Sequence, residues 1–315
     1  MKKLCLLLSV FSLQLLIAQD YVDLGNAYWR FSPRNNFDYP NSNNSEHKRH
    51  FNMYVLNAKA PIVINDKSVL IIGLEHMQQT VLTTNNEWGI FANYSFGSSM
   101  LQLGWEQQWN DRSKMLFMGL GRLNSDFNEV DLAHFQIGGL ALGSTRRSEN
   151  FDWKYGAYVN SELFGTMVVP LFGFNWKMNE SMRLKLLIPL NFEYSYQPKS
   201  WLRAGLRFEG VNGSYAFQSV PGGSWTDKYI DRADNNLWAF SEFKIGGNFW
   251  LHFKAGHSIL RKYRVFDQGD KMLLKLGPVN IGDHRNNDDP QDVAKWFDNG
   301  YSFEARIIYR FPLKK

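Results

Sequence analysis

Strand-long alternation between apolar and polar residues is the feature that most restricts how this chain folds. Between residues 182 and 196, every even position holds Met, Leu, Ile, Phe or Tyr, whereas the odd positions include Arg183, Lys185 and Glu193. Side chains alternate between the two faces of a β-strand, so this segment has one apolar face and one largely polar face. Helical spacing would scatter its charges around the axis. We therefore interpret 182–196 as one long β-strand.

Other segments repeat this alternation. In the final one, 301–311, six apolar residues share a face opposite Glu304, Arg306 and Arg310. Runs of 11 to 15 residues are long for a strand of a soluble sandwich, but they suit a tilted strand that crosses a bilayer. The other clear candidate strands are 151–162, 168–177 and 202–209. The pattern is weaker at 50–64, 68–80, 95–109 and 249–259, and weakest at 114–125, at 132–146 and in the pair flanking Gly246 and Gly247.

The segments that connect these strands fall into two length classes. Short stretches rich in Asn, Asp, Pro and Ser predict tight turns. Long polar connections alternate with them, as is typical of outer-membrane barrels, whose long loops lie outside the cell. The short turns are expected at 65–66, 110–112, 179–181 and 198–200, and the long loops at 33–48, 218–234 and 268–299.

A closed sheet is the form in which such a chain would cross a membrane. Beyond the first residues, no segment approaches 18 consecutive apolar residues, which excludes a helical membrane protein. Closing a sheet satisfies every backbone N–H and C=O within the bilayer. Trp109, Trp153, Trp176 and Trp201 lie near predicted turns, where interfacial aromatic girdles are expected. We predict an all-β fold, a closed antiparallel transmembrane β-barrel of about 12 strands, within a range of about 10 to 14.

The first residues predict export. Lys2 and Lys3 precede an apolar run from Leu4 to Ala18, which is too short for a spanning helix and typical of a signal peptide. We predict a signal peptide at 1–18 and an outer-membrane barrel domain at 19–315. The single cysteine, Cys5, lies in that signal, so the mature chain would have no disulfide and no thiolate chemistry. The formal net charge of +5 gives no reason to expect nucleic acid as a partner.

The charged face of these strands becomes the candidate functional surface. If the apolar face meets lipid, the charged face points into the lumen. We favour an internal ion-pair network, with a narrow anion-selective pore as the alternative. The predicted lumen-facing charges are Asp152, Lys154, Glu162, Lys177, Arg183, Lys185, Glu193, Arg203, Arg207, Glu209, Glu304, Arg306 and Arg310.

No catalytic, metal or cofactor site is predicted. An acyl hydrolase needs a His beside a Ser and a third orienting group, but the neighbours His257 and Ser258 would point to opposite faces of a strand. The polar segment 282–290 lacks the spacing of a calcium loop. We therefore expect a passive pore or a structural envelope protein. The alternatives are a lipid-modifying or lipid-binding barrel and a soluble periplasmic β-protein.

Two segments resemble a known family. Pro170-Leu171-Phe172-Gly173-Phe174-Asn175-Trp176, followed by a turn and 184–189, is similar to the uncharacterised Gram-negative outer-membrane β-barrel proteins that are described only by a domain of unknown function. Residues 249–266, with His257 and Arg264, resemble the penultimate strand of that family. The resemblance implies an outer-membrane barrel and no assigned activity. Expected partners are the lipid bilayer with lipopolysaccharide and the outer-membrane assembly machinery, and the oligomeric state is open.

Overall fold

The structure is a computed structural model that describes residues 21–36, 48–84, 94–217, 227–285 and 299–312. These residues form sixteen β-strands and one turn of 3-10 helix, Leu132–His134. No helix in these ranges is long and apolar enough to cross a membrane. The first eight strands are β1 (Tyr21–Asn36), β2 (Lys48–Asn65), β3 (Ser68–Thr84), β4 (Tyr94–Gln108), β5 (Ser113–Ser125), β6 (Phe135–Ser148), β7 (Phe151–Glu162) and β8 (Gly165–Lys177). The remaining strands are β9 (Met182–Ile188), β10 (Asn191–Lys199), β11 (Leu202–Phe217), β12 (Lys228–Gly246), β13 (Phe249–Asp267), β14 (Met272–Leu276), β15 (Val279–Asp283) and β16 (Tyr301–Pro312).

Fourteen of these strands close into an antiparallel barrel. Each strand from β1 to β12 pairs with its successor, and β16 pairs with both β13 and β1, which closes the ring. Strands β14 and β15 form a hairpin that is not part of this ring and joins the sheet through β8. The fold prediction is confirmed, and the strand number falls at the upper end of the expected range. The predicted signal peptide at 1–18 lies outside the described residues and stays a prediction.

The outer surface of the barrel is apolar because alternate side chains of every strand point outward. Leu56 on β2 and Leu74 on β3 are 62% and 61% exposed, while their neighbours Val55 and Met77 are buried. Large apolar side chains cover the outside of the other strands in the same way. Such a surface is costly in water and favourable in lipid, and it matches the apolar band of a membrane-spanning barrel.

The weakest candidate segments are genuine strands. Segments 114–125 and 132–146 correspond to β5 and β6, and β12 and β13 flank Gly246 and Gly247. The sequence predicted about 12 strands rather than 14 because the alternation is poor in 114–125 and 132–146, which carry several glycines and few charges.

The interpretation of 182–196 as one long strand is wrong. The chain turns at Pro189 and Leu190 and returns as β10, so that Phe192 pairs with Leu186 and Tyr194 with Leu184. Leu187 pairs with Asn191, so three residues separate these partners; an odd number keeps partners at positions of the same parity, and even-numbered side chains therefore stay on one face across the reversal. The pattern identified the face correctly but not the strand length.

The long polar segment 268–299 also differs from the expected loop. Its first half forms the β14–β15 hairpin, in which Leu274 pairs with Ile281, while 286–298 lies outside the described residues. The barrel thus has one end with short turns and both chain ends, and another end that carries the long connections. We call these the short-turn end and the long-loop end.

Candidate functional site

The short-turn half of the lumen is filled by a connected group of charged side chains, which we call the ionic belt. Glu242 on β12 is one centre of it. Its carboxylate accepts hydrogen bonds from Arg203 Nη1 at 2.9 Å and Arg310 Nη1 at 2.8 Å, and it contacts His252 Nδ1 at 2.8 Å. The belt consists of Asp23, Arg30, Glu193, Arg203, Arg207, Glu209, Glu242, His252, Lys254, Glu304, Arg306 and Arg310.

A second centre of the belt joins strands that are not neighbours in the sheet. Arg30 Nη2 on β1 lies 2.7 Å from Glu304 on β16 and 3.2 Å from Glu209 on β11. Lys254 Nζ on β13 lies 2.7 Å from Glu209 and 3.2 Å from Glu304. The β1–β11 contact spans the interior of the closed sheet, so these charges fill the lumen rather than line an open bore.

The belt keeps its buried charges paired. Glu193 on β10 accepts hydrogen bonds from both Arg203 and Arg207. At the short-turn end, Arg310 Nε donates to Asp23 at 2.7 Å. A buried charge without a partner is strongly destabilising, whereas a paired and hydrogen-bonded charge is tolerated. The ionic belt is therefore a rigid network in which positive and negative charges nearly cancel.

The structure distributes the charges predicted from the sequence over several surroundings. Lys154 Nζ donates to Ser144 Oγ at 2.7 Å, and Lys177 Nζ pairs with Glu180 in the adjoining turn at 2.8 Å. Asp152 and Glu162 are buried, while Arg183 and Lys185 are half-buried on β9. The predicted charges found in the ionic belt are Glu193, Arg203, Arg207, Glu209, Glu304, Arg306 and Arg310.

Sequence reasoning missed the partners that hold these charges. Arg30, Glu242 and Lys254 were not among the predicted lumen charges, yet each bridges two or more groups in the belt. Arg30 lies in a segment where Tyr28 and Trp29 make both faces aromatic, which hides the alternation. Glu242 follows a predicted long loop. The available signal was a set of polar residues at even positions of one strand, namely Arg232, Asp234, Asn236, Glu242 and Lys244.

The long-loop half of the lumen is filled mainly by apolar side chains, which pack against the buried ion pairs of Asp234 with Arg232 and Arg261. The ring of Phe96 on β4 lies 4.6 Å from that of Tyr215 on β11, and the ring of Tyr94 lies 5.9 Å from that of Phe217. Aromatic pairs at this spacing exclude water and stabilise beyond their buried area. We call this group the apolar cap, formed by Phe51, Met53, Val55, Met77, Val81, Tyr94, Phe96, Tyr215, Phe217, Ile230, Tyr263 and Val265.

The end of β11 reaches the apolar cap by leaving the wall of the barrel. Residues 213–217 are buried, and Ala216 pairs in parallel with Ser125 of β5. Ser214 anchors this end, because its backbone N–H and its hydroxyl donate to Glu162 Oε2 at 2.9 and 2.7 Å. Residues 213–217 stay paired with 228–232 of β12, so the paired ends of these two strands close the lumen at the long-loop end.

Between the ionic belt and the apolar cap lies a cavity of about 420 Å³, which we call the central cavity. Met53, Met77 and Met100 supply an apolar side. Methionine side chains are flexible and adapt to differently shaped ligands. The charged lining consists of Arg30, Glu75, Arg122, Glu209, Arg232 and Arg306.

Two arginines of the central cavity are incompletely neutralised. Arg122 Nη1 is 4.0 Å from the nearest oxygen of Glu162, at the limit of an ion pair. Arg232 is 2% exposed, its Nη2 lies 3.5 Å from Asp234, and its Nε has no hydrogen-bond partner. A buried guanidinium with spare donors favours a carboxylate, sulfate or phosphate as a neighbour. The cavity therefore suits an anionic group next to an apolar one.

A histidine–serine pair occurs on the outer surface but lacks the third member of a triad. His76 Nδ1 lies 2.9 Å from Ser99 Oγ, and the His76 ring packs near Phe127 at 5.8 Å. Within the described ranges, no acid is hydrogen-bonded to this imidazole, and no three His, Cys, Asp or Glu side chains meet as metal ligands. His257 and Ser258 do not act together, since Ser258 is buried and bonded to Gly300 while His257 packs on Tyr301.

The closed antiparallel sheet with an apolar exterior and a charged interior defines an outer-membrane β-barrel. The chain belongs to the family described as a domain of unknown function, DUF6268, whose model matches residues 18–279. This match confirms the resemblance found in the sequence. No curated protein matches the chain.

Several solved structures are similar to this chain. One is the COG4313 outer membrane channel from Pseudomonas putida F1, with 8% identity, coverage of 92% of this chain and 96% of that chain, and a TM-score of 0.48. Another is a Pseudomonas aeruginosa FadL homologue, with 9% identity, coverage of 93% and 91%, and a TM-score of 0.47. The translocator domain of the autotransporter NalP from Neisseria meningitidis has 10% identity, coverage of 98% and 94%, and a TM-score of 0.36.

Proposed function

We propose that this protein is exported to the outer membrane and transports a small organic anion with an apolar portion. Its lumen is closed at rest, and the central cavity holds the solute during passage. The bilayer with its lipopolysaccharide and the barrel-assembly machinery are the partners that such a protein needs. The signal peptide and the outer-membrane location belong to this proposal.

The central cavity is the observation that carries the proposal. Its volume of about 420 Å³ lies within the range of small-ligand pockets. Its charged lining holds four arginines and two glutamates, so the site carries a positive excess next to apolar side chains. Arg122 and Arg232 keep unsatisfied capacity for an oxyanion. An amphipathic anion satisfies both sides of the cavity at once.

The ionic belt and the apolar cap support a gated barrel rather than an open pore. Each fills one half of the lumen with packed side chains. A solute therefore passes only when one of these groups rearranges. We expect a low resting conductance in planar bilayers and saturable uptake into liposomes, in contrast to the unsaturated diffusion of a water-filled porin.

Binding in lipid nanodiscs tests the proposal. Octyl sulfate is the probe anion, and octyltrimethylammonium is a cation with the same tail. We expect the anion to bind and the cation not to. Arg122→Met should weaken octyl sulfate binding about tenfold, because one charge-assisted hydrogen bond is lost. Lys177→Met, which removes an exposed pair in a turn, should leave binding unchanged.

Equal binding of both probes, or no effect of Arg122→Met in a variant that keeps the heat-dependent gel mobility of a folded barrel, would overturn the assignment. Absence of binding together with absence of uptake would favour a structural role in the envelope. The ionic belt is the observation that supports this second function, since paired charges filling half the lumen rigidify a wall.

A further inference from the structure

The central cavity is lined by an acidic side chain that has no cationic partner. Glu75 on β3 is half-buried, and its Oε2 accepts a hydrogen bond from Asn57 Nδ2 at 2.7 Å. In the part of the chain that the structure describes, its carboxylate forms no ion pair. The other glutamate of the lining, Glu209, pairs with Arg30 and Lys254. Glu75 therefore keeps a negative charge that a solute can neutralise.

Glu75 lies in the same row of the sheet as Arg122, two strands away. Glu75 pairs with Met100 on β4, and Met100 pairs with Arg122 on β5. Paired residues of neighbouring strands point to one face of a sheet, and all three residues line the central cavity. Since neighbouring strands are about 4.8 Å apart, the backbones of Glu75 and Arg122 are about 10 Å apart. One wall of the cavity thus carries a negative and a positive group at a fixed spacing.

Met100 keeps these two charges from neutralising each other. Arg122 Nε lies 3.1 Å from Met100 Sδ, and the guanidinium carbon of Arg122 lies 5.7 Å from the centre of the Tyr158 ring on β7. The acid nearest to Arg122 is Glu162, whose closest oxygen is 4.0 Å away. Arg122 is therefore held by β4 and β7, and it does not pair with Glu75. Each of the two charged groups keeps hydrogen-bonding capacity for a solute.

Asn57 holds the Glu75 carboxylate and leaves one of its oxygens available. The two residues are partners across β2 and β3, and the Asn57 amide occupies Oε2. Within the described ranges, no protein group donates a hydrogen bond to Oε1. An ionised carboxylate only accepts hydrogen bonds, whereas an ammonium group only donates them. A protonated amine therefore matches the available oxygen in both charge and hydrogen bonding.

An inorganic cation suits this position less well than an amine. Calcium takes about six to eight oxygen ligands, and magnesium also requires a complete shell of oxygens. Glu75 offers one carboxylate, and its neighbours Met77 and Met100 offer only thioether sulfur. No three His, Cys, Asp or Glu side chains meet in the described residues. The cation that Glu75 accepts is therefore organic.

We propose that the solute of the central cavity is a zwitterion, whose oxyanion binds Arg122 and Arg232 and whose protonated amine binds Glu75. This inference deepens the proposed function and rests on it, since it adds an amine to the amphipathic anion. A free cation is repelled by the four arginines of the lining. An amine joined to an anion is accepted, because the anion offsets the arginines and the amine gives the half-buried carboxylate a partner.

Two phosphodiesters that differ in one atom test this inference. Octyl 2-aminoethyl phosphate ends in an ammonium group, and octyl propyl phosphate has a methyl group in its place. Both carry the same phosphate and the same tail. In lipid nanodiscs, with the signal of empty nanodiscs subtracted, the protein should bind the amine about tenfold more tightly, because one charge-assisted hydrogen bond is gained.

Three variants separate the role of Glu75 from that of the arginines. Glu75→Gln keeps an acceptor for Asn57 but loses the charge, so the two phosphodiesters should bind with nearly equal affinity. Arg122→Met should weaken both phosphodiesters about tenfold and leave the preference for the amine. Glu180→Gln removes an acid from an exposed turn and should bind both as the unaltered protein does.

Equal affinity of the unaltered protein for the two phosphodiesters would overturn the zwitterion. So would an undiminished preference in a Glu75→Gln variant that keeps the heat-dependent gel mobility of a folded barrel. In either case the proposed function stands if octyl sulfate binds and Arg122→Met weakens that binding. Absence of binding of octyl sulfate and of both phosphodiesters would contradict the proposed function and the zwitterion together.

Discussion

The two halves of the lumen are closed by different groups of side chains, one almost wholly charged and the other mainly apolar. The ionic belt fills the short-turn half with Arg, Glu, Lys and His side chains that hold one another in place. The apolar cap fills the long-loop half with aromatic and methionine side chains. The same barrel wall encloses both halves, so the difference between them comes from the inward-facing side chains and not from the fold.

The comparison shows what each closure contributes. Burying apolar surface stabilises a fold by an amount that grows with the area buried. A buried ion pair adds little net stability, yet removing one partner is costly because the other charge stays behind. The ionic belt is therefore expected to be intolerant of single changes, and the apolar cap to respond in proportion to the volume removed.

The largest expected effect is in the ionic belt. Glu242→Gln removes the charge that faces Arg203, Arg310 and His252, and it should lower the free energy of unfolding by about 5 kcal/mol. Unfolding in detergent, followed by heat-dependent gel mobility, measures this. Glu180→Gln is the control at an exposed pair and should cost less than about 1 kcal/mol. Similar losses in the two variants would contradict the distinction between belt and surface.

A smaller loss is expected in the apolar cap. Phe96→Ala should lower the free energy of unfolding by about 3 kcal/mol, since the ring leaves a cavity between β4 and β11. Leu103→Ala on the same strand removes an outward-facing side chain and should cost clearly less. The same denaturant series compares them. If Leu103→Ala costs as much as Phe96→Ala, the cap is not a packed core.

Removing the Ser214 anchor of β11 should lower the free energy of unfolding by a still smaller amount. Ser214→Ala deletes the hydroxyl that bonds to Glu162 and to the Leu163 N–H, and we expect a loss of about 1–2 kcal/mol. Ser148→Ala, at an exposed turn, is the matched control. A result within error of this control would mean that β11 is held inside the lumen by the apolar cap alone.

The smallest effect concerns the β14–β15 hairpin and pH. The hydrogen bond from Arg285 to Asp283, outside the spanning strands, lowers the pKa of Asp283 to about 2. Its stabilising contribution is complete above the ordinary pKa of an aspartate and is lost as pH falls through about 2. A spin label at Leu273→Cys should become more mobile over this interval. With Asp283→Asn, the label should be mobile at all pH values, and an unchanged acid transition there would contradict the assignment.

The sequence predicts the features that follow from local pattern, and it misses those that depend on contacts between residues far apart in the chain. Alternation identified the apolar face of the wall, since lipid contact acts on every second residue independently of distant contacts. It did not show the reversal at Pro189, because the three residues between the partners Leu187 and Asn191 leave the alternation unbroken. Nor did it pair Arg30 with Glu209, which lie far apart in sequence and meet only when the barrel closes.

The central cavity was beyond sequence reasoning for a related reason. It depends on the end of β11 turning into the lumen, and this follows from contacts of Ala216 and Ser214 with β5 and β7 rather than from local pattern. The hairpin at 272–283 was hidden within a segment that resembles a polar loop. Its few apolar residues, Leu273, Leu274 and Ile281, were the available sign of a strand.

The docking of β14 on β8 has a consequence for the order of assembly. Thr166 and Leu274 are partners across a long stretch of chain, and this stretch contains strands β9 to β13. Forming such a contact early would require closing a large loop of unfolded chain. We therefore expect the ring of fourteen strands to close first and the β14–β15 hairpin to dock on β8 last.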